Sequence, residues 1–176
     1  MDAIVEAALR KWPNVPHCYG WLALDARGDW YMRDERIQAA GPFPRPKGSR
    51  IEHEKLREFI ERNYASDPAG AWFFQNGPQR VYVELEAAPW IWRLAAVPGA
   101  APQISSHTGR PASASEARVD ESGRLFLATE IGLGLVHTLD VEVAAEAIEC
   151  GIWTPRDTTF AALVERHGYR LRPAPP

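Results

Sequence analysis

Apolar positions recur along this chain with two different periods, and the change of period marks its elements. At the start, "MDAIVEAALRKW" places Val5, Leu9 and Trp12 on one helical face, and Pro13 ends the run. A second helical stripe, Leu56, Phe59 and Ile60, runs through "SRIEHEKLREFIERNY". Ser49 and Glu52 stand ahead of it at capping-box spacing, and Glu58 and Arg62 form an i,i+4 pair on its polar face. A third stripe, Phe160, Leu163 and Val164, is expected behind a Thr154 cap with Pro155 in the first turn, and Gly168 stops it. Between these helices the period shortens to two. "QRVYVELE" sets Val81, Val83 and Leu85 against Tyr82, Glu84 and Glu86, and "PWIWRL" puts Trp90, Trp92 and Leu94 on one face. "GLGLVHTL" predicts a further strand, Asp140 stands where it can cap a short Ala-rich helix reaching Cys150, and "YRLR" predicts a closing strand.

One turn occurs three times. "DARGDWYM", "DPAGAWFF" and "DESGRLFL" each read Asp-x-x-Gly-x followed by three large, mostly apolar residues, beginning at Asp25, Asp67 and Asp120. The first and third also match further out. Asp at the first position accepts hydrogen bonds from backbone N–H groups just beyond it, and Gly takes the positive φ that closes a hairpin. The strands that follow are apolar on both faces, with Trp30 and Met32 opposite Tyr31 and Trp72 and Phe74 opposite Phe73. Such strands are expected to be covered on both sides.

Two segments break the pattern: "AAGPFPRPKGS", with Pro42, Pro44 and Pro46, and "VPGAAPQISSHTGRPASASE". The second sets the expected domain boundary. The expectation is therefore an α+β protein of mainly antiparallel sheets in two small lobes with packed helices. Residues 1–96 form the first lobe, 97–115 a linker and 116–176 the second.

The order "GDWYM", charged helix, "DPAGAWFF", "VYVELEAAPW" resembles an uncharacterised proteobacterial family, a domain of unknown function. The resemblance covers residues 22–94 and, more weakly, 119–130. It rests on the Gly-x-Trp-Tyr hairpin, the helix, the Asp-x-x-Gly-aromatic strand and the strand ending Glu86-Ala87-Ala88-Pro89-Trp90, which carries an extra Ala in place of a second acid. It implies a two-lobed α+β fold with a repeated hairpin-plus-helix motif and a role in signalling or ligand sensing. It carries over no catalytic residue. The Pro-rich loop at residues 41–47 departs from the family pattern.

Composition changes this picture only by exclusion. Twenty Lys and Arg against 23 Asp and Glu give a net charge of −3, which argues against a broad nucleic-acid footprint. No apolar run approaches a bilayer span, and no secretory segment opens the chain. Two distant cysteines, Cys18 and Cys150, are expected to be free thiols in a reducing cytoplasm.

Few catalytic signatures survive inspection. "HEKLR" begins like a zinc helix, but Arg57 stands where the second His belongs, so no metal and no cofactor are expected. His17 beside Cys18 lies on the opposite face of an extended chain, and Cys150 lies near a helix C-terminus, where a thiolate is disfavoured. "QNGPQR" remains as a candidate ligand site. Gln75, Asn76, Gln79 and Arg80 put amide and guanidinium donors at one sheet end, beside Trp72 and either Trp90 or Trp92 as stacking walls. The function expected is a non-catalytic, regulatory module that binds a small anionic metabolite or a partner protein. The alternative is an enzyme in which Glu84 or Glu86 is the base and Arg80 holds an anionic substrate. Single-stranded nucleic acid on an aromatic face is a weaker third reading, and Arg93 is expected to pair with Glu84.

Overall fold

In the computed structural model, which describes residues 1–175, the chain divides into two units. The first comprises Met1–Asp25, Asp29–Glu86 and the chain from Tyr169 onward; the second comprises Ala26–Gly28 and Ala87–Gly168.

The first unit contains α1 (Ala3–Lys11), β1 (Cys18–Leu24), β2 (Trp30–Met32), α2 (Glu35–Ala40), β3 (Ser49–Arg50), α3 (Glu54–Arg62), β4 (Tyr64–Ser66), β5 (Trp72–Asn76) and β6 (Gln79–Leu85). Its strands form one sheet in the order β3-β2-β1-β6-β5-β4. Every pairing is antiparallel except β1 with β6. Leu22, Leu24, Trp30, Ile60, Phe74, Val83 and Leu85 are buried. A separate buried cluster of Ala71, Phe73 and Tyr82 is completed by Tyr19, which stacks on Tyr82 with ring centroids 4.6 Å apart.

The second unit contains β7 (Trp90–Ala95), β8 (Gln103–Ser106), β9 (Pro111–Ala112), β10 (Ala114–Val119), β11 (Leu125–Thr129), β12 (Gly132–Val136), a 3-10 turn at Thr138–Asp140, α4 (Val141–Glu149), β13 (Arg156–Asp157) and α5 (Phe160–His167). Its strand order is β13-β10-β11-β12-β7-β8-β9. Here β12 with β7 and β10 with β13 are the parallel pairs. The fold class is α+β as expected, but each sheet is mixed rather than wholly antiparallel.

Strand order in the two sheets corresponds: β1 to β6 follow the same arrangement as β7 to β12. The connections differ. In the first sheet a tight turn after Asp25 joins β1 to β2, and the long β2–β3 connection carries α2 and the Pro-rich segment. In the second unit the tight turn joins β8 to β9, and residues 96–102 make a longer β7–β8 connection. The Asp67 and Asp120 turns occupy matching positions, β4–β5 and β10–β11.

All three Asp turns form as their sequence predicts. Asp67 Oδ1 accepts from Ala69 N–H at 2.9 Å and Ala71 N–H at 3.0 Å. Asp120 Oδ1 accepts from Ser122 at 3.0 Å and Arg124 at 2.9 Å, and Asp25 Oδ1 accepts from Asp29 at 2.9 Å. Gly28, Gly70 and Gly123 supply the positive φ. The strands they open are largely covered: Trp30, Phe73, Phe74, Phe126 and Leu127 are buried, although Met32 is exposed.

Several local expectations are corrected. The unit division falls after Glu86, so β7 belongs to the second unit, and residues 97–115 are no linker because β8 and β9 extend its sheet. Helix α3 starts at Glu54 behind His53, whose Nδ1 accepts from Leu56 N–H at 3.3 Å. Ser49 is unavailable as its cap because Ser49 and Arg50 pair with β2 as a short strand. Likewise Arg156 and Asp157 pair with β10, which delays α5 until Thr159 caps it. The closing residues form no strand, but Leu171 O accepts from Leu85 N–H and Gly70 O accepts from Arg170 N–H, so the chain end is tied to the first unit. On α1 only Val5 is buried, and Trp12 is exposed.

Candidate functional site

The six residues of "QNGPQR" form the β5–β6 hairpin, with Gln75 opposite Arg80 and Asn76 opposite Gln79. Two of its amides are engaged in structure. Gln75 is buried and donates to Gly77 O at 2.9 Å; Gln79 donates to Pro16 O at 2.9 Å. The Arg80 guanidinium covers the Phe73 ring at 4.4 Å, and Asn76 is exposed at the strand end. Trp72 is half-buried in the first sheet. Trp90 and Trp92 are buried in the second unit, where their indole N–H groups donate to Ile131 O at 2.8 Å and Leu127 O at 3.0 Å. The predicted set is thus divided between two cores.

The carboxylates of the enzymatic alternative are also occupied. Glu84 is four residues from Arg80 on one strand, about 13 Å along it, and its carboxylate is bound by the Arg33 guanidinium. Arg33 is itself 2% exposed and donates to Gly41 O at 2.6 Å. Glu86 lies 3.3 Å from Lys47 Nζ, which also donates to the buried Asp25 at 2.8 Å. Burial works against the Lys47 ammonium, but the Asp25 hydrogen bond and charge and then Glu86 hold its pKa above the ordinary value. These contacts, with the Arg172 bond to Phe43 O at 2.9 Å, fasten the Pro-rich segment across the first unit with Phe43 buried beneath it. The network is a clamp on that strap.

A concave surface is found in the second unit instead. A cavity of about 540 Å³ lies between the β7–β8 connection and α4. Val97, Pro98 and Pro102 form one wall; Val143, Ala147 and Ile152 line the other, together with Glu146 and Cys150. Local sequence explains both walls. Pro98 and Pro102 cannot donate to a ladder, so the chain leaves the sheet after Ala95 and returns at Gln103. Helix α4 buries Ala144 and Ala147 against the sheet and leaves Val141 exposed and Val143 half-covered.

Asp140 fixes the two walls to each other. It does not cap α4 with its side chain, as its position predicts; its carboxylate accepts from Arg93 Nε at 2.6 Å, Arg93 Nη2 at 3.2 Å and Leu94 N–H at 3.0 Å. Arg93 therefore pairs with Asp140 rather than Glu84. Burial opposes ionisation of Asp140, but Arg93 and the Leu94 N–H together hold its carboxyl below the usual range. The sequence showed the helix and the Pro-Gly segment but not their juxtaposition. The one legible signal was apolar Val141 and Val143 on a helix whose buried stripe is alanine.

Among the described residues, no group of three His, Cys, Asp or Glu side chains could hold a metal ion, and no helix is long and apolar enough to cross a membrane.

Residues 1–173 match a family described as "Protein of unknown function (DUF2946)". The chain belongs to that family. Among solved structures, a DUF1285 family protein from Silicibacter pomeroyi DSS-3 is matched at 11% identity, over 83% of this chain and 84% of that one, with a TM-score of 0.51. A DUF1285 family protein from Shewanella baltica OS155 is matched at 15% identity, over 72% of this chain and 91% of that one, with a TM-score of 0.49. The Silicibacter likeness shows a shared fold. No curated protein matches the chain.

Proposed function

We propose that this chain is a non-catalytic binding module with a regulatory role, and that its ligand site is the cleft between residues 96–102 and α4. The observation that carries the proposal is the cleft's volume and chemistry: about 540 Å³ between apolar walls. Ligand pockets of roughly 300–1,000 Å³ with mainly apolar linings and few polar groups suit small molecules or the side chains of a partner. The occupied state of Glu84 and Glu86 supports binding over catalysis, since neither carboxylate is placed beside Arg80 as a base. Two free thiols, one exposed, fit a reducing cytoplasm.

The test is titration of the full chain with 1-octanol, followed by 1H–15N chemical shifts. Amides of residues 97–102 and of Val143 to Ile152 are expected to move together, and Val143→Glu, which places a charge in the wall, is expected to abolish the response. Shifts scattered over both units, or none, would rule out the cleft as the ligand site.

A further inference from the structure

A second cavity adjoins the cleft at Ile152. Its volume is about 530 Å³, and its other walls include Ser115 and Glu116 of β10, Trp153, Thr154, and Arg156 of β13. This neighbour is more polar, and it carries an arginine where the only charged side chain of the first is an acid. Glu146 lines the cleft, on a helix that also exposes Glu142 and Glu149 and has no basic residue in its last turn. In the second cavity the one acid is already engaged: Glu116 accepts from Arg118 Nε at 2.9 Å and pairs with Arg166 at 3.1 Å. Burial opposes ionisation of Glu116, and these two arginines outweigh it and hold the carboxyl below its ordinary range.

Arg156 is the unspent charge. It lies in register with Arg118 across the parallel β10–β13 pair, so the two side chains leave the sheet on the same face. It is exposed and has no carboxylate partner among the described residues. Arg118 and Arg166 already neutralise Glu116, which leaves Arg156 as the uncompensated charge of this cavity.

We infer that the two cavities form one site for an amphipathic anion, with its apolar chain in the cleft and its carboxylate or phosphate head on the Arg156 guanidinium beside Thr154. This rests on the cleft being a ligand site, as proposed above. The distance suits such a ligand: the four residues from Ile152 to Arg156 span at most about 14 Å, within reach of a medium-length alkyl chain. Polarity sets its direction. The Glu146 carboxylate in the cleft lining repels an anionic head, while the planar fork of Arg156 offers two parallel N–H donors to it.

The experiment compares sodium octanoate, 1-octanol and octylamine on the full chain, wild type and Arg156→Gln, by calorimetry and 1H–15N shifts. Octanoate is expected to move the amides of residues 97–102 together with those of Thr154 and Arg156. It is expected to bind wild type about tenfold more tightly than octanol, the advantage of one charge-assisted pair. Arg156→Gln removes that advantage and leaves octanol binding unchanged; Arg156 sits on an exposed edge, so the variant folds. Arg156→Lys keeps the charge without the fork and retains part of it. Equal binding of octanol and octanoate to wild type, or tighter binding of octylamine, would overturn the anion assignment and leave the cleft standing. If none of the three probes moves residues 97–102, the cleft itself fails, and this inference with it.

Discussion

Arg93 Nε lies 2.6 Å from an Asp140 carboxylate oxygen, and that contact joins the end of β7 to the start of α4. The same carboxylate accepts the Leu94 N–H, so one buried side chain satisfies a guanidinium and a strand amide together. Because the β7–β8 connection and α4 are the two walls of the cleft, Asp140 sets their spacing.

Asp140→Asn tests this. The variant keeps the shape but loses the charge, and a hydrogen bond to a charged group contributes about 1.5–3 kcal/mol. We expect a loss of that order at neutral pH and a weaker octanol response. The pH dependence follows from the depressed carboxyl of Asp140. Between its folded pKa and the ordinary Asp value of about 3.9, the unfolded chain binds more protons than the folded one. Its stabilisation is present above that ordinary value and is lost as pH falls through the folded pKa. Urea denaturation of wild type should therefore show stability falling below about pH 4, and Asp140→Asn should flatten that limb.

Gly134→Ala is expected to be severe. A Cβ at Gly134 would collide with the Trp92 indole and lie 2.9 Å from Trp90 Cβ, in a core where both indoles are fixed by hydrogen bonds. Overpacking of this kind costs about 1–3 kcal/mol. A lowered thermal midpoint with red-shifted tryptophan emission is the expected signature.

Lys47→Met removes the ammonium that spans Asp25 and Glu86 and holds the Pro-rich strap. Asp25 is 1% exposed, so loss of this partner is expected to cost about 1–3 kcal/mol. Hydrogen exchange supplies the second readout. The Arg45 amide, which bonds Pro42 O at 2.9 Å, should exchange faster, while the Trp92 backbone amide is unaffected.

Arg80→Ala is expected to be mild. Its guanidinium covers Phe73 in partial exposure, an arrangement contributing about 0.5–1 kcal/mol. Octanol and octanoate affinities should not change. A loss of binding in this variant would restore the hairpin as the site.

What could be read from the sequence was what is local. The Asp25, Asp67 and Asp120 turns are closed by bonds within four residues, so four positions specify them. A fourth turn of the same kind is masked in the sequence because Ser replaces Asp: Ser106 Oγ accepts from Arg110 N–H at 3.1 Å, and Gly109 takes the positive φ. Helix starts depart from the sequence pattern where a distant partner captures the expected cap. Ser49 is held by β2, Thr154 lies ahead of a strand paired to β10, and Asp140 is drawn to Arg93. The same limit separated Trp72 from Trp90 and Trp92. "APW" reads as a continuation of one hairpin, yet the chain changes sheets there, and parallel pairing of β7 with β12 leaves no local mark. The cleft was invisible for that reason, since its walls lie far apart in the chain.

The most direct measurement is the rate at which iodoacetamide alkylates Cys150 in a Cys18→Ser background, with and without saturating 1-octanol. Cys150 is exposed and lines the cleft, so an occupied cleft shields it. Slower alkylation in octanol, reversed by Val143→Glu, is the predicted result. An unchanged rate, with octanol shown to bind, would place the ligand elsewhere and contradict the cleft as the binding site.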